Sequence, residues 1–296
     1  MTINQKGFLY VFLMSLAWAL NVVIAGYSIV ELEVNAFVYG GQTLMTGAIL
    51  FGIALLIKTF KTSLTVKITP KDIIWMFLLG VLGNGIGNYF GLQGIENSPT
   101  NYAFLVKTSI VFAIVLELIL KQQKFSYQRV LLGVLLLFGA YLISTNGQLI
   151  APQKEDIYTL IAALCFGSVS VLSKTINTRN SPEYMALFRS LAGGLVLFGI
   201  AFLAGENIWV LKHLEWGILG GCLVFVLFFF LYKALEIKPA SYVSMMSMMF
   251  SVMVAALQYF IFGIGLKFWQ IIGATIIISA VILLEIYSQQ KQNSIK

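Results

Sequence analysis

The sequence predicts an all-α membrane protein with ten transmembrane helices in two inverted five-helix repeats. Composition predicts the membrane class, because 59% of the 296 residues are hydrophobic and 10% are charged. Ten apolar stretches predict the helices, because each approaches the roughly 20 residues that one membrane crossing requires. An internal repeat predicts how the ten helices are arranged.

The ten apolar stretches are joined by short connections, so each is predicted to form one helix. They cover residues 8–28, 36–57, 72–92, 100–120, 129–146, 157–174, 184–204, 215–233, 240–262 and 268–287. Pro70, Pro99 and Pro182 each follow a Thr or Ser and are expected at the first helical position. All five prolines fall at span ends, so nothing suggests a proline-broken helix inside the bilayer.

The repeat is visible when the sequence is shifted by 140 positions, which aligns Gly80 with Gly220 and Tyr102 with Tyr242. Shifts of 147 and 148 positions align segments that lie earlier in the two halves. Because each half holds an odd number of spans, the second copy enters the membrane upside down. Inverted repeats of this kind are typical of transporters. The predicted divisions are a first repeat over 1–146, an external linker over 147–156 and a second repeat over 157–296.

The net charge of +7 does not indicate a nucleic-acid partner, because the Lys and Arg residues are distributed as in a protein whose basic segments orient it in the membrane. With the N-terminus inside, 14 of the 19 Lys and Arg residues fall in inner segments, and three fall outside. Positive residues mark the cytoplasmic side of a membrane protein. We therefore predict a multi-pass protein of the plasma membrane with both termini cytoplasmic and the lipid bilayer as its partner.

Lys107 is the most unusual residue of the predicted spans. It lies about 12 Å along the fourth helix from its start, at the usual helical rise. A lysine at the membrane centre costs roughly 2.5–3.5 kcal/mol, so it is expected to face water, a partner or a ligand. Two interpretations remain open: a cation that lines a substrate cavity, or an internal ion pair or backbone contact with no role in substrate binding.

The repeat connects Lys107 with a stripe of serines on the ninth helix. Ser244, Ser247 and Ser251 share one helical face, and Ser247 is the mate of Lys107. The stripe is predicted to line the same cavity. Alternatively, the serines serve packing or bond their own backbone.

Two further polar groups are candidates for substrate contact. Arg189 lies about 9 Å into the seventh helix, either as a ligand group or as a tether near the membrane surface. Asn84 and Asn88 accompany a run of glycines in the third helix. The glycines are predicted to let a neighbouring helix approach closely, and the asparagines to line a wet cavity.

Trp18 and Asn21 are one turn apart on the first helix, where they contact either the core or a ligand. Glu117 is predicted to pair locally with Lys121. No acid is expected at mid-membrane, the two cysteines lack metal-ligand spacing, and His-Glu-x-x-His and Gly-x-Ser-x-Gly do not occur. We predict no catalytic residue, no metal and no cofactor, which disfavours an intramembrane enzyme.

Four segments carry a family resemblance: 96–102, 234–242, Trp18-Ala19 and Phe188-Arg189. With ten spans in two halves, the chain resembles the drug/metabolite transporter superfamily, specifically proteins with two EamA-type domains. The resemblance implies an exporter of amino acids or other small metabolites, with a central cavity between helices 1–4 and 6–9. Helices 5 and 10 would support the fold.

This sequence departs from the family pattern in three places. Gln42 replaces the arginine usual in helix 2, and Ile110 replaces the proline usual in helix 4, with Phe250 at its mate in helix 9. The glutamate usual after helix 4 is replaced around Gln122. These differences bear on which substrate the protein would bind and leave the predicted fold unchanged.

We expect a secondary transporter that exports small polar or amphipathic metabolites by alternating access. These would be amino-acid-like or other anionic solutes, with Lys107 and Arg189 balancing their charge. The alternative is broad-range efflux of lipophilic or aromatic compounds.

Overall fold

The computed structural model confirms the all-α fold and, within the residues it describes, contains ten helices long and apolar enough to cross a membrane. The described residues are 3–62, 68–97, 99–149, 151–177, 181–208, 213–263 and 265–293. The helices are α1 (Gln5–Glu31), α2 (Ala36–Lys61), α3 (Pro70–Gly94), α4 (Asn101–Ile119), α5 (Tyr127–Thr145), α6 (Asp156–Asn177), α7 (Pro182–Leu203), α8 (Leu214–Ile237), α9 (Ala240–Phe262) and α10 (Phe268–Gln290). We call the membrane side where α1 begins the terminal side, and the side of the α5–α6 connection the linker side.

Local sequence signals set several helix ends. The Thr69 hydroxyl accepts a hydrogen bond from the Asp72 backbone N–H at 3.2 Å, directly before Pro70, as expected for an N-cap followed by proline. Ser126 caps α5 in the same way. That helix ends where Asn146 adopts a left-handed conformation with φ 54°.

Close packing at mated glycines is consistent with the inverted repeat. A Cβ on Gly80 of α3 would lie 2.5 Å from the Arg189 carbonyl oxygen of α7. A Cβ on its mate Gly220 of α8 would lie 2.6 Å from Thr43 Cγ2 of α2. The pair α3–α7 is equivalent to the pair α8–α2 when the two repeats are exchanged. A glycine therefore allows close helix packing at the same position in both repeats.

The support helices α5 and α10 pack against each other. A Cβ on Gly273 of α10 would lie 2.5 Å from the carbonyl oxygen of Gly139 on α5. α5 also packs on α4, and α10 packs on α1 and α9.

Four of the described helices are irregular inside their spans, although none contains an internal proline. π-helical segments occupy Tyr27–Glu31 of α1 and Val81–Gly87 of α3, and a 3₁₀ turn occupies Val106–Thr108 of α4. A turn at residues 247–248 divides α9. These interruptions were not predicted, because the chain makes them without the proline that usually marks a break in a helix.

Candidate substrate site

The interruptions of α4 and α9 occur at mated positions, since residues 106–108 align with 246–248 at the offset of 140. In α9 the Met248 N–H bonds to the Met245 carbonyl, one residue nearer than in a regular α-helix. The Ser244 carbonyl thereby loses its usual donor, and the Ser247 hydroxyl donates to it at 2.7 Å. Each of the two helices thus has a tightened turn about two helical turns after its start.

The turn in α4 is completed in the same way. The Ser109 N–H bonds to Lys107 and Val106 rather than to Leu105. The Thr108 hydroxyl then donates to the Leu105 carbonyl at 2.6 Å. A side-chain hydroxyl therefore satisfies the freed carbonyl at both interruptions.

Lys107 lies on the α4 turn and faces two aromatic rings. Its Nζ is 3.8 Å from the centroid of the Phe250 ring and 5.5 Å from that of Trp18. The two rings stack with centroids 4.5 Å apart and an interplanar angle of 21°. These contacts bring α1, α4 and α9 together around one cation, within the range of cation–π attraction.

No carboxylate among the described residues lies within 4.0 Å of the Lys107 ammonium. Lys107 as a whole is half-buried, while Trp18 remains 37% exposed at the edge of the group. A cation held against aromatic faces without an acidic partner is suited to meet an anion that arrives from outside.

Lys107 and Trp18 were predicted from the sequence as substrate contacts, but Phe250 was not. Phe250 is the mate of Ile110, at which the family usually has proline. It follows Ser247, the mate of Lys107, by three residues, so the repeat itself held the signal.

The serine stripe lies on the segment that carries Phe250. Ser247 bonds its own helix, as one of the two interpretations predicted. Ser244 is half-buried and Ser251 is 9% exposed.

Arg189 belongs to a second polar cluster that joins α3, α7 and α8. Its Nε donates to Asn84 Oδ1 at 3.1 Å, and its second nitrogen donates to the Tyr232 hydroxyl at 3.0 Å. The guanidinium also lies 5.1 Å from the Phe228 ring centroid. Arg189 is 8% exposed, and no described carboxylate is within salt-bridge distance.

The glycines of α3 make this second cluster possible. A Cβ on Gly83 would approach an Arg189 guanidinium nitrogen to 3.3 Å, so the predicted close approach is present here. Asn88 donates to the Asn84 carbonyl at 2.9 Å and thus supports the irregular backbone of α3.

Asn21 faces a different neighbour from Trp18. Its Oδ1 faces Gly220 of α8: a Cβ added to Gly220 would lie 3.1 Å from it. This buried oxygen has no hydrogen-bond partner among the described residues. The predicted pair on α1 therefore divides: Trp18 contacts α9, and Asn21 contacts α8.

The predicted pair of Glu117 with Lys121 is wrong. Glu117 is 1% exposed; one oxygen accepts from the Ser241 backbone N–H at 3.2 Å, and the other lies 3.9 Å from Arg129. The helix start of α9 offers free N–H donors and a positive dipole end. A buried carboxylate is stabilised there better than beside the exposed Lys121.

Hydrogen bonds close the terminal side of the bundle around α6. Lys174 donates from its Nζ to the carbonyl oxygens of Leu235, at 3.0 Å, and of Lys238. Asn177 donates to the Tyr232 carbonyl at 2.9 Å. We call Lys174 and Asn177, with these carbonyls of the α8–α9 region, the α6 latch.

The equivalent region of α1 on the linker side has no such latch. An offset of 148 aligns Lys174 with Gly26 and Asn177 with Ile29. Gly26 is exposed, and a Cβ there would meet no atom within 4 Å. Whereas α6 packs on α8 and the start of α9, α1 has no comparable packing on α3 or α4 within the described helices. The two ends of the bundle therefore differ in closure.

A cavity of about 560 Å³ lies apart from Lys107. It is bounded by α4, α5, α6 and, in the connection between α5 and α6, by Leu149 and residues 152–154. Asn101 fixes this connection by donating to the Ala151 carbonyl and to Asp156. Its lining does not include Lys107, Trp18 or Phe250.

Comparison with known proteins agrees with this architecture. The chain is 26% identical over 144 residues to the "Riboflavin transporter ImpX" of Fusobacterium nucleatum subsp. nucleatum (strain ATCC 23726 / VPI 4351). That match spans 45% of this chain and 48% of the relative, about half the length of each. A solved structure, "Crystal structure of protein", has the same fold with a TM-score of 0.74 and 16% identity, covering 94% of this chain and 96% of that one.

The EamA-like transporter family matches residues 5–145 and 153–286, one match for each repeat. The predicted drug/metabolite transporter resemblance is confirmed. The chain belongs to the EamA-like transporter family and, with ten described helices long and apolar enough to cross a membrane, is a multi-pass membrane protein.

Proposed function

We propose that this protein exports a small anionic, amphipathic metabolite across the plasma membrane by alternating access, with Lys107 binding the anionic group. The observation that carries the proposal is the Lys107 ammonium, which lies over the Phe250 and Trp18 rings with no described carboxylate within 4.0 Å. A charge inside a membrane is retained where it has a function, because leaving it unbalanced costs several kcal/mol. A carboxylate or phosphate of the substrate would balance it.

The aromatic pair supports an amphipathic substrate. Trp18 is 37% exposed beside the lysine, so an apolar or planar part can pack on its ring while the anionic group meets the ammonium. An amino-acid-like or aromatic carboxylate has this combination. The serine stripe, Ser244, Ser247 and Ser251, would supply hydroxyl groups along the neighbouring face of α9.

The second cluster would supply an earlier contact on the path of an exported substrate, before Lys107. Arg189 has polar partners in Asn84 and Tyr232 but no described acidic partner. We expect Arg189, Asn84 and Asn88 to contact the anionic group on the terminal side of Lys107. Asn21, whose oxygen lacks a described partner, would contact polar groups of the substrate near α8.

The unequal closure of the two sides supports alternating access. The α6 latch joins helices on the terminal side, while the mated region of α1 around Gly26 is exposed. In an inverted repeat, exchanging the conformations of the two halves exchanges the closed and open ends. We infer that this conformation is closed toward the cytoplasm and that the opposite state forms when the latch opens.

A second candidate substrate is an uncharged planar heteroaromatic compound. The stacked Trp18 and Phe250 rings favour it, and a relative matched over half its length is named a riboflavin transporter. In this case Lys107 would donate a hydrogen bond to a ring carbonyl rather than balance a charge.

Flux into liposomes tests the proposal with two labelled probes, an aromatic carboxylate and riboflavin. A charge-assisted contact contributes about 1.5–3 kcal/mol, or roughly 10- to 150-fold in affinity. Lys107→Met should reduce carboxylate transport by about this factor, and Lys107→Arg should retain part of it. The matched control is Lys154→Met, which removes a lysine from the linker.

The two substrate classes give different results. Loss of carboxylate flux in Lys107→Met supports the anionic substrate, whereas transport of riboflavin with a smaller effect of Lys107→Met supports the second candidate. If wild type transports the carboxylate and Lys107→Met transports it equally well, Lys107 is structural and the proposed site is wrong.

A further inference from the structure

A second cavity, about 180 Å³, lies on the terminal side, between α5, the start of α9 and the end of α10. It is separate from the Lys107 group, and none of the residues proposed above for substrate binding lines it. Its polar lining groups are Gln123, Arg129, Lys238, Tyr242, Tyr287 and Ser288. We call it the α5/α10 cavity.

Arg129 presents unused hydrogen-bond donors to this cavity. The side chain is 9% exposed, and its guanidinium makes one hydrogen bond, to Gln123 Oε1 at 3.2 Å, within the described residues. Its contact with Glu117 is 3.9 Å, longer than a hydrogen bond. Since arginine has five N–H donors in a planar fork, most of them remain available to a ligand.

Lys238 adds a second buried cation. It is 1% exposed, donates to Ser288 Oγ at 2.8 Å and lies 4.4 Å from the Tyr242 ring centroid. Burial lowers the pKa of the Lys238 ammonium, and the nearby Glu285 carboxylate partly opposes that change. The Glu285 carboxylate is itself engaged, because it accepts hydrogen bonds from Tyr242 and Gln289.

Among the described residues, three cations, Arg129, Lys174 and Lys238, lie near two carboxylates, Glu117 and Glu285. Both carboxylates already accept hydrogen bonds from other groups. The remaining N–H donors of the Arg129 guanidinium therefore favour a bound anion.

We propose that the α5/α10 cavity binds a phosphate group, which belongs either to an anionic phospholipid headgroup or to free inorganic phosphate. The Arg129 fork matches the geometry of phosphate oxygens. The hydroxyls of Tyr287 and Ser288 line the same cavity and can act as further donors. Bound phosphate would join α5 to α10 and the start of α9, and so stabilise the support helices.

The surroundings give a phospholipid access to the cavity. Leu131 of α5 and Ile286 of α10 are 47% and 45% exposed near the lining residues Arg129 and Tyr287, as expected for faces in contact with lipid chains. Basic pockets between transmembrane helices on the cytoplasmic side can bind anionic headgroups in this way.

Thermal unfolding in nanodiscs tests the proposal. The full chain is placed in phosphatidylcholine discs, in discs that contain phosphatidylglycerol, and in phosphatidylcholine discs with inorganic phosphate at matched ionic strength. A ligand that binds the folded state raises the Tm. A rise with phosphatidylglycerol alone identifies the headgroup, and a rise with inorganic phosphate identifies the free anion; either result supports the site.

The decisive variant is Gln123→Glu, which keeps the shape of a residue that already accepts from Arg129. The new carboxylate would pair with the guanidinium, so the variant should fold and be at least as stable as wild type in phosphatidylcholine. It should weaken the affinity for the phosphate ligand at least tenfold by repulsion and by occupying the arginine. Lys124→Gln removes an exposed cation of the same loop and should change the affinity less than twofold.

Two outcomes would overturn the proposal. In the first, neither phosphatidylglycerol nor inorganic phosphate raises the Tm of the wild type. In the second, the Tm of Gln123→Glu responds to them as strongly as that of the wild type.

Discussion

Lys174→Met should open the terminal side of the protein. The Lys174 ammonium donates to the carbonyl oxygens of Leu235, at 3.0 Å, and of Lys238, and so joins α6 to the α8–α9 connection. A hydrogen bond to a charged group contributes about 1.5–3 kcal/mol. When the latch opens, the half-buried Lys174 ammonium forms hydrogen bonds with water instead. We therefore assign the two hydrogen bonds together the free energy of about one such bond.

This energy corresponds to a roughly 10- to 150-fold change in the ratio of latched to unlatched protein. The methionine keeps the length and the apolar contacts of the lysine, so the change isolates the two hydrogen bonds.

The rate of thiol labelling measures the opening. Ser173, which is 0% exposed on α6, is replaced by cysteine after the native Cys165 and Cys222 are replaced by alanine. In nanodiscs, where both faces are accessible, the Ser173→Cys label should react about 10- to 150-fold faster in Lys174→Met, if opening is fast compared with labelling.

The matched control is Lys233→Met. Lys233 pairs with Glu236 at 3.1 Å within α8 and does not join two helices, so the labelling rate should stay within twofold of the parent. An unchanged rate in Lys174→Met, or an equal increase in both variants, would show that the α6 latch does not hold the terminal side closed.

Two further predictions concern orientation and packing. In intact cells, an impermeant thiol reagent should label Gln153→Cys but not Gln5→Cys, because the distribution of Lys and Arg predicts cytoplasmic termini; the reverse pattern would invert the proposed direction of transport. Gly80→Ala should destabilise the protein by about 1–3 kcal/mol, seen as a lower Tm, because the new Cβ would lie 2.5 Å from the Arg189 carbonyl oxygen. Gly52→Ala has open space around the new Cβ and should not lower the Tm; equal losses in both variants would contradict the packing argument.

Most of the fold could be predicted from the sequence, because the relevant forces act locally. Hydropathy places each helix in the membrane, and the repeat relates the two halves. The run of glycines in α3 was predicted to let a neighbouring helix approach, and Gly83 lies against Arg189 of α7. The interruption at residues 247–248 of α9 was missed, because a serine hydroxyl replaces the backbone donor there without any proline.

The candidate site was predictable in part. Lys107 stood out because a charge in the bilayer is costly wherever it points. Its neighbour Phe250 did not, because a phenylalanine in a membrane helix is ordinary until a cation is found on its ring. Glu117 shows the opposite error: its neighbour in sequence was Lys121, but its partners, Arg129 and Ser241, come from other helices.

The sequence by itself determined the membrane class, the number of helices and the inverted duplication, since these follow from local apolarity and from similarity along the chain. Tertiary structure alone decided which polar groups meet, as with Arg189 and Asn84, which are 105 residues apart. It also decided which end of the bundle is closed, since Lys174 is tied to α8 and α9 while its mate Gly26 is exposed. Two halves with the same fold can adopt unequal conformations because the direction of each side chain depends on helix packing, and packing is a property of the assembled bundle.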